Sequence, residues 1–494
     1  MMESVLTLYC SFDRYMKNPP TVLMRTASQS LTEQLAAHFA ERIADRLLAA
    51  GQRLPSVRQC AQQHGVSAAT VVAAYDRLLA QGLVEARPQR GFFVREQRVG
   101  PLLSTVRAAG AARAPVDAAA LMRGMFHGTS ELPQPGIGVF PPDWLASDIV
   151  VSAVRRVVTR QALVPLSLQY GEPAGDPGLR QALSHKLVGM NVPAAPEQII
   201  TTVGATHALD IVSRTLLRAG DHVMVEEPGW AIEFARLQAL GAVILPVPRG
   251  PEGPDLAIMA RYCEAHAPKL FVSVSVLHNP TGYCLSPGSA HRVLTLAAQH
   301  GFYIVEDDTY SHLAPDHATR LSALDGLSRT VYVSGFAKIL APGWRVGYLA
   351  APPALVDRFL DTKLLATLTT PALQEQAMAW CITQGALRRH AQRVVTRLDQ
   401  ARARSVKLAR AAGCRYVSEP AGLFGWVDTG VDTELLAQRM LDEGYLLAPG
   451  ALFHAGRKPG TLMRINFATT QAQPFWKVFE RLRASLQGPA RAAA

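Results

Sequence analysis

The sequence predicts an α/β protein in two parts. A small module of three helices and a two-stranded ribbon precedes a long body built on a mostly parallel, helix-covered sheet. Three observations predict it. Leu35, Phe39, Ile43 and Leu47 recur four apart over 31–50, which is one face of a helix. Residues 97–127 are rich in Ala, Gly, Pro and Arg with Asp117 their only acid, the composition of a flexible linker. Beyond 128, the runs Val223-Met224-Val225, Leu270-Phe271-Val272-Ser273-Val274, Tyr303-Ile304-Val305 and Val331-Tyr332-Val333 each follow a helical-looking stretch. Short β-branched runs between helices are how a parallel sheet is written. The expected boundaries are an extension at 1–30 that carries no usable pattern, the module at 31–96, the linker at 97–127 and the body at 128–494.

Composition narrows the function. With 494 residues, 49% hydrophobic and 18% charged, the chain can bury large cores and is not globally disordered. No stretch approaches the roughly 20 apolar residues of a membrane span. Val5 to Cys10, between Glu3 and Asp13, is too short and wrongly flanked for a secretory leader. Six cysteines without a Cys-x-x-Cys spacing argue against a disulfide framework and against a zinc site, so no metal is expected and a reducing cytoplasm fits. The net charge of +11 permits a polyanion partner, but only a motif can argue for one.

The module supplies that motif. Gly51 stops the first helix. Pro55 is expected in the first turn of a second helix, with Val57, Cys60 and Ala61 inward and Gly65 at its end. Ser67 is a natural N-cap for a third helix over 68–81, whose Val71, Tyr75, Leu78 and Leu79 pack back, and Gly82 ends it. Leu83-Val84-Glu85 and Gly91-Phe92-Phe93-Val94 then read as strands around Arg87-Pro88-Gln89-Arg90. Three helices and such a wing make a winged helix-turn-helix. A helix N-terminus with the Ser67 hydroxyl suits a phosphate, Arg58 lies early on the second helix, and Arg87 and Arg90 tip the wing. Residues 1–95 hold 11 Lys and Arg against 7 Asp and Glu. The shape alone also suits a protein-contact domain.

The series Leu54-Pro55-Ser56-Val57-Arg58, Gly65-Val66-Ser67-Ala68-Ala69-Thr70-Val71, Tyr75-Asp76-Arg77-Leu78, Gly82-Leu83 and Arg90-Gly91-Phe92-Phe93-Val94 resembles the GntR-type winged-helix domain. That resemblance implies double-stranded DNA as partner and places Arg58, Ser67, Thr70, Arg87 and Arg90 against it. Ala68 stands where such domains usually carry an arginine, and the wing glycine pair is reduced to Gly91.

Three patterns carry chemistry in the body. Ser334-Gly335-Phe336-Ala337-Lys338 is followed by Arg345 within Pro342-Gly343-Trp344-Arg345-Val346-Gly347-Tyr348. A lysine in a small-residue loop beyond a buried strand can form a Schiff base with an aldehyde, and a nearby arginine can grip a phosphate. Alone, a lysine such as Lys338 reads more readily as a solvated surface lysine. Glu306-Asp307-Asp308-Thr309-Tyr310 follows an apolar strand, where open α/β sheets bind ligands. A carboxylate there can keep a pyridine nitrogen protonated, or serve as a magnesium ligand or helix cap. His278-Asn279-Pro280-Thr281-Gly282 is by itself a loop after a strand. Gly204-Ala205-Thr206 is a small-residue turn opening a helix, whose amides and hydroxyl can cradle a phosphate. Trp230 can stack on a flat ring or pack in the core, and Arg464 can clamp a carboxylate or form a surface ion pair.

Taken in order, these pieces resemble fold-type I, pyridoxal-phosphate-dependent aminotransferases of class I and II across 128–490, a fold with a smaller C-terminal α+β subdomain. The resemblance implies pyridoxal 5'-phosphate as cofactor and Lys338 as the Schiff-base lysine. Asp307 would face the pyridine nitrogen, with Asn279 and Tyr310 on the ring oxygen and Trp230 stacked on the ring. Arg345, Ala205, Thr206 and Ser334 would hold the phosphate, and Arg464 the substrate carboxylate. Tyr170, in Leu168-Gln169-Tyr170-Gly171-Glu172-Pro173, matches a tyrosine lent to the neighbouring subunit, which implies a homodimer. Gly335, Ala337 and Ala205 stand where serines are common. Joined, the halves resemble the MocR subfamily of GntR-type transcriptional regulators. The expectation is a regulator that reads an operator and senses an amine or amino acid through Lys338. The alternative is a working aminotransferase acting on an amino acid and a 2-oxo acid.

Overall fold

The computed structural model describes residues 30–44, 48, 51–87, 90–95, 132–145, 147–159, 164 and 166–487. Leu47, Pro88, Gln89, the 1–29 stretch and the whole expected linker lie outside the described residues. The chain divides into two compact units, 1–112 and 113–494.

In the first unit, helices α1 (Leu31–Ala44), α2 (Val57–His64) and α3 (Ala68–Ala80) precede strands β1 (Val84–Arg87) and β2 (Gly91–Val94). The helix expected over 31–50 is shorter, for by Leu48 the backbone has left it and the Leu48 N–H bonds Arg42 O, six residues back. Pro55 does not open α2. Ser56 is the N-cap and shares a reciprocal capping box with Gln59, which satisfies two end groups that a proline in the first turn would leave open. The Pro55 carbonyl instead accepts the Tyr75 hydroxyl at 2.9 Å. Gly65 ends α2 at φ +63°, a left-handed turn that costs glycine nothing. Ser67 caps α3, accepting the Thr70 N–H at 3.0 Å. The strands pair antiparallel from Val84 opposite Val94 to Arg87 opposite Gly91. Leu35, Phe39, Cys60, Val71, Tyr75 and Leu78 form the core. Each large apolar chain there contributes roughly 1.5–3 kcal/mol over an exposed position.

The second unit is built on a seven-stranded sheet. Its strands are β3 (Ile199–Thr202), β4 (His222–Glu227), β5 (Val243–Pro248), β6 (Leu270–Ser273), β7 (Tyr303–Asp307), β8 (Thr330–Gly335) and β9 (Gly347–Ala350). Their spatial order is β3-β9-β8-β7-β6-β4-β5, with β9 antiparallel to both neighbours and the other pairings parallel. The four apolar runs legible in the sequence are β4, β6, β7 and β8, the adjacent centre of the sheet. Buried on both faces, they read as continuous apolar stretches. Val274 falls just outside β6. Strands β3, β4, β6, β7 and β8 point one way, so their carboxyl ends share one edge. Pro353–Thr367 packs on the sheet beside helix α4 (Ala205–Leu216), and the 26-residue helix α5 (Ala386–Ala411) leads to a second sheet. That sheet is antiparallel, in the order β10 (Arg415–Tyr416), β11 (Phe424–Asp428), β13 (Leu462–Asn466), β12 (Ala448–Pro449). Helices Thr433–Asp442 and Gln473–Leu486 complete this smaller α+β subdomain. No described helix is long and apolar enough to cross a membrane.

Candidate functional site

Three consecutive carboxylates end β7, and alternation gives them different fates. Glu306 points into the protein and accepts the N–H groups of Leu321 (2.7 Å) and Ser322 (2.8 Å). Asp308 is buried against Arg320 Nε (2.6 Å) and the Tyr332 hydroxyl (2.8 Å). Among the described residues, Asp307 is bonded only by the N–H and hydroxyl of nearby Thr309. It lines a small cavity with Trp230, Gly229 and His278. Burial pushes its carboxyl up to about 6, helped by the nearby Glu233 and opposed by the Thr309 bonds. Of the three, Asp307 is the one that lines this cavity; Asp308 Oδ1 also has no partner among the described residues, but its carboxylate is turned to Arg320 and Tyr332.

Lys338 lies three residues beyond the end of β8. Burial lowers its amine to about 8; Arg464 and Arg345 push the same way and Asp307 opposes them. That value does not single it out, since burial also brings Lys186 and Lys363 to about 8. Partners do. Lys363 Nζ donates to the Pro173 carbonyl at 2.6 Å and Lys186 Nζ to Met190 Sδ at 3.5 Å. Lys338 makes no hydrogen bond among the described residues, so its amine is the one left for a reaction.

Around it, Asn279 and Tyr310 are buried side by side. Burial pushes the Tyr310 hydroxyl up, with Arg464 and Asn279 opposing. Arg464, on β13 of the small sheet, reaches across to Asn279 Oδ1 (3.0 Å) and the Gly136 carbonyl (2.5 Å). Its guanidinium carbon lies 4.4 Å from the Phe424 ring centre and 5.2 Å from that of Phe453. Its Nε is buried without a partner among the described residues. Burial lowers the Arg464 guanidinium to about 10, so an arriving anion relieves a desolvated cation.

A corner suited to an anion is built by close approach. Arg345, at φ +53°, donates to the Val203 carbonyl at 3.2 Å. A Cβ on Gly204 would sit 2.5 Å from Arg345 Nη2, and one on Gly347 only 2.4 Å from the Gly204 carbonyl carbon. These glycines let the arginine and the start of α4, with Ala205 and Thr206, come together. First-turn amides and an arginine on one spot suit a phosphate dianion.

The assignment of Ser334 to the phosphate is corrected. It lies fully buried inside β8 and its hydroxyl donates to the Asp308 carbonyl at 2.9 Å, so its single proton is spent within the sheet. Tyr170 is not brought to this cluster and is 82% exposed. Two features escaped sequence reasoning. Glu226 pairs with Arg249 (2.8 Å) and accepts from Ser273 and Val274, in a buried group that also holds His278 Nε2 at 3.5 Å. His390, on α5, bonds the carbonyl of Ile339 at 2.8 Å, immediately after Lys338. Both link residues far apart in sequence, and no local pattern marks them.

In the first unit, Arg58 and Arg90 are exposed. Arg87 pairs with Glu85 at 2.7 Å and lies 4.5 Å over the Phe93 ring, half-exposed at the wing. The Ser67 and Thr70 hydroxyls bond each other at 2.8 Å. Arg53 is a further cation beside the wing, its Nε 3.3 Å from where a Cβ on Gly91 would stand.

The residues fit pyridoxal 5'-phosphate on these grounds: a half-buried amine and a buried guanidinium nitrogen that have no partner among the described residues, and a glycine-made cradle that suits a phosphate. Comparison with known proteins agrees. Residues 142–482 match the aminotransferase class I and II family, and 31–94 match the gntR family of bacterial regulatory proteins. The probable rhizopine catabolism regulatory protein MocR of Rhizobium meliloti is 30% identical over 76% of this chain and 76% of its own. The uncharacterized HTH-type transcriptional regulator YjiR of Escherichia coli is 26% identical over 91% of this chain and 97% of its own. The 2-aminoadipate transaminase of Thermus thermophilus is 29% identical, covering 72% of this chain and 91% of the relative. Among solved structures, LysN, the alpha-aminoadipate aminotransferase of Thermus thermophilus complexed with N-(5'-phosphopyridoxyl)-L-leucine, matches with a TM-score of 0.67 and 25% identity over 74% of this chain and 94% of that one. The chain therefore belongs to the class I and II aminotransferase family, in the MocR group of regulators whose GntR-type DNA reader precedes a body that binds pyridoxal phosphate.

Proposed function

We propose that this regulator senses an amine or amino acid at the cluster formed by Lys338, Asp307, Asn279, Tyr310, Arg345 and Arg464, and passes the outcome to the DNA reader. The observation that carries the reading is the convergence of Lys338, Asp307 and Arg464 on one sheet edge, with Lys338 unpartnered. When bound, pyridoxal phosphate supplies an aldehyde that amines capture and a ring that withdraws electrons. Lys338 would hold that aldehyde, for which an effector amine would compete. Asp307 holds a proton on the ring nitrogen, Trp230 orients the ring, and Arg345 with Ala205 and Thr206 fixes the phosphate. Arg464 selects a ligand carrying a carboxylate. It stands on the small sheet and reaches Asn279 in the loop that follows β6 of the large one, so ligand occupancy bears on how the two close. An effector shifts such an equilibrium only by its differential affinity for the two states.

Val164, Leu168 and Tyr170 are exposed apolar side chains on one short stretch, at 52%, 78% and 82%. That favours a homodimer covering them, with Tyr170 completing the partner's site. A DNA partner supports a cytoplasmic location.

The completeness of the catalytic set favours a second reading, an active aminotransferase. Turnover separates them. The regulator converts its cofactor once and slowly with an amino acid and a 2-oxo acid, and retains duplex DNA at physiological salt. Many cycles per site without DNA retention would establish the enzyme instead.

A further inference from the structure

Helix α5 is the most lopsided charged element of the body. Eight of its 26 residues are Arg or Lys and one, Asp399, is acidic. Its net +7 compares with +11 for the entire chain. At 100° per residue, Arg389, Arg393, Arg397, Arg404 and Lys407 fall within an arc of about 80°. All five are exposed, while the adjoining face buries Leu387, His390, Val394, Leu398 and Ala401. A shallow groove along the stripe is lined by Arg389, Gln392, Arg393, Thr396, Arg397 and Gln400, with no carboxylate among them. Arg397 pairs with Asp143 at 2.6 Å and Arg402, off the stripe, with Asp399 at 2.6 Å. Arg389, Arg393, Arg404 and Lys407 have no ion pair among the described residues. Like charges four apart, as at 389, 393 and 397, disfavour a helix, and ordinary solvated helices alternate signs instead.

We propose that this stripe is a second, sequence-independent DNA contact, in which the body grips the phosphate backbone of a duplex. The inference rests on the N-terminal module being a DNA reader. Complementary charge and form argue for that occupant. From 389 to 407 the stripe runs about 27 Å, the length of roughly 8 base pairs. Arginine is the cation that meets phosphate oxygens bidentately. A polyanion already held by the same chain arrives at high effective concentration, so even weak contacts along α5 count.

The test uses the full-length, cofactor-loaded protein and a random-sequence duplex of about 40 base pairs, by fluorescence anisotropy between roughly 50 and 200 mM salt. The variant is R389Q/R393Q/R404Q/K407Q, all on exposed positions. Unchanged cofactor absorbance and sedimentation establish its fold. The expected result is a fall in affinity of at least about tenfold and a slope of log affinity on log salt shallower by about 3 per protomer. Wild-type binding with the slope unchanged in the variant overturns the inference and leaves the DNA reader standing. No duplex binding by wild type overturns both. Capture by phosphatidylserine vesicles that the variant loses, with the duplex slope unchanged, assigns the stripe to a membrane surface and overturns it too.

Discussion

Lys186, Lys338 and Lys363 share one lowered basicity, and only the last few ångströms around each amine distinguish them. A lysine amine attacks an aldehyde only when neutral. Its neutral fraction rises about tenfold per pH unit below its pKa and levels above it. Uptake of pyridoxal phosphate by cofactor-free protein, followed by absorbance, should therefore accelerate to near pH 8 and then plateau. A plateau reached only near pH 10 would mean an ordinary, solvated lysine. At the carboxylate end, replacing Arg464 by Met removes charged hydrogen bonds of about 1.5–3 kcal/mol, roughly 10- to 100-fold in affinity. Titration should show that loss for an amino acid and none for the matching amine without a carboxylate. The family resemblance, not the local pattern, picked Asp307 from the three adjacent acids that follow Tyr303-Ile304-Val305. It misjudged Ser334 because the direction of a hydroxyl inside a strand is set by the neighbouring strand, here through the Asp308 carbonyl.

Elements explain which parts of the fold were legible. Strands β4, β6, β7 and β8 are buried on both faces and show as apolar runs. Strand β5 lies at the sheet edge and carries Pro246 and Pro248, which disguise it, and β9 is a four-residue strand beginning at Gly347. In the small module, Pro55 drew the start of α2 two residues too early, because the capping box of Ser56 and Gln59 outweighs a proline's preference for the first turn. Removing the α3 cap by Ser67→Ala should lower the module's stability by about 1 kcal/mol, read as an earlier denaturant midpoint. The glycine approach at the phosphate corner makes a sharper prediction. Gly347→Ala puts a methyl 2.4 Å from the Gly204 carbonyl carbon, so α4 must shift away from Arg345. Equilibrium dialysis should show cofactor affinity reduced by more than about tenfold (over 1.4 kcal/mol) even where the protein stays folded.

At the scale of the molecule, the arrangement works because parallel strands deliver five loops to one edge of the sheet while the small sheet brings Arg464 to meet them. Motif order exposed this plan in the sequence; the long-range pairs Glu226–Arg249 and His390–Ile339 did not show, since chain folding alone creates them. Lys338 is the hub of the plan. Reducing the cofactor-loaded protein with borohydride and mapping the labelled peptide tests that most directly. A single phosphopyridoxyl adduct at Lys338, abolished by Lys338→Ala, is the predicted result. A colourless protein that takes up no cofactor, or a label carried by Lys363 or Lys186 in its place, would contradict it.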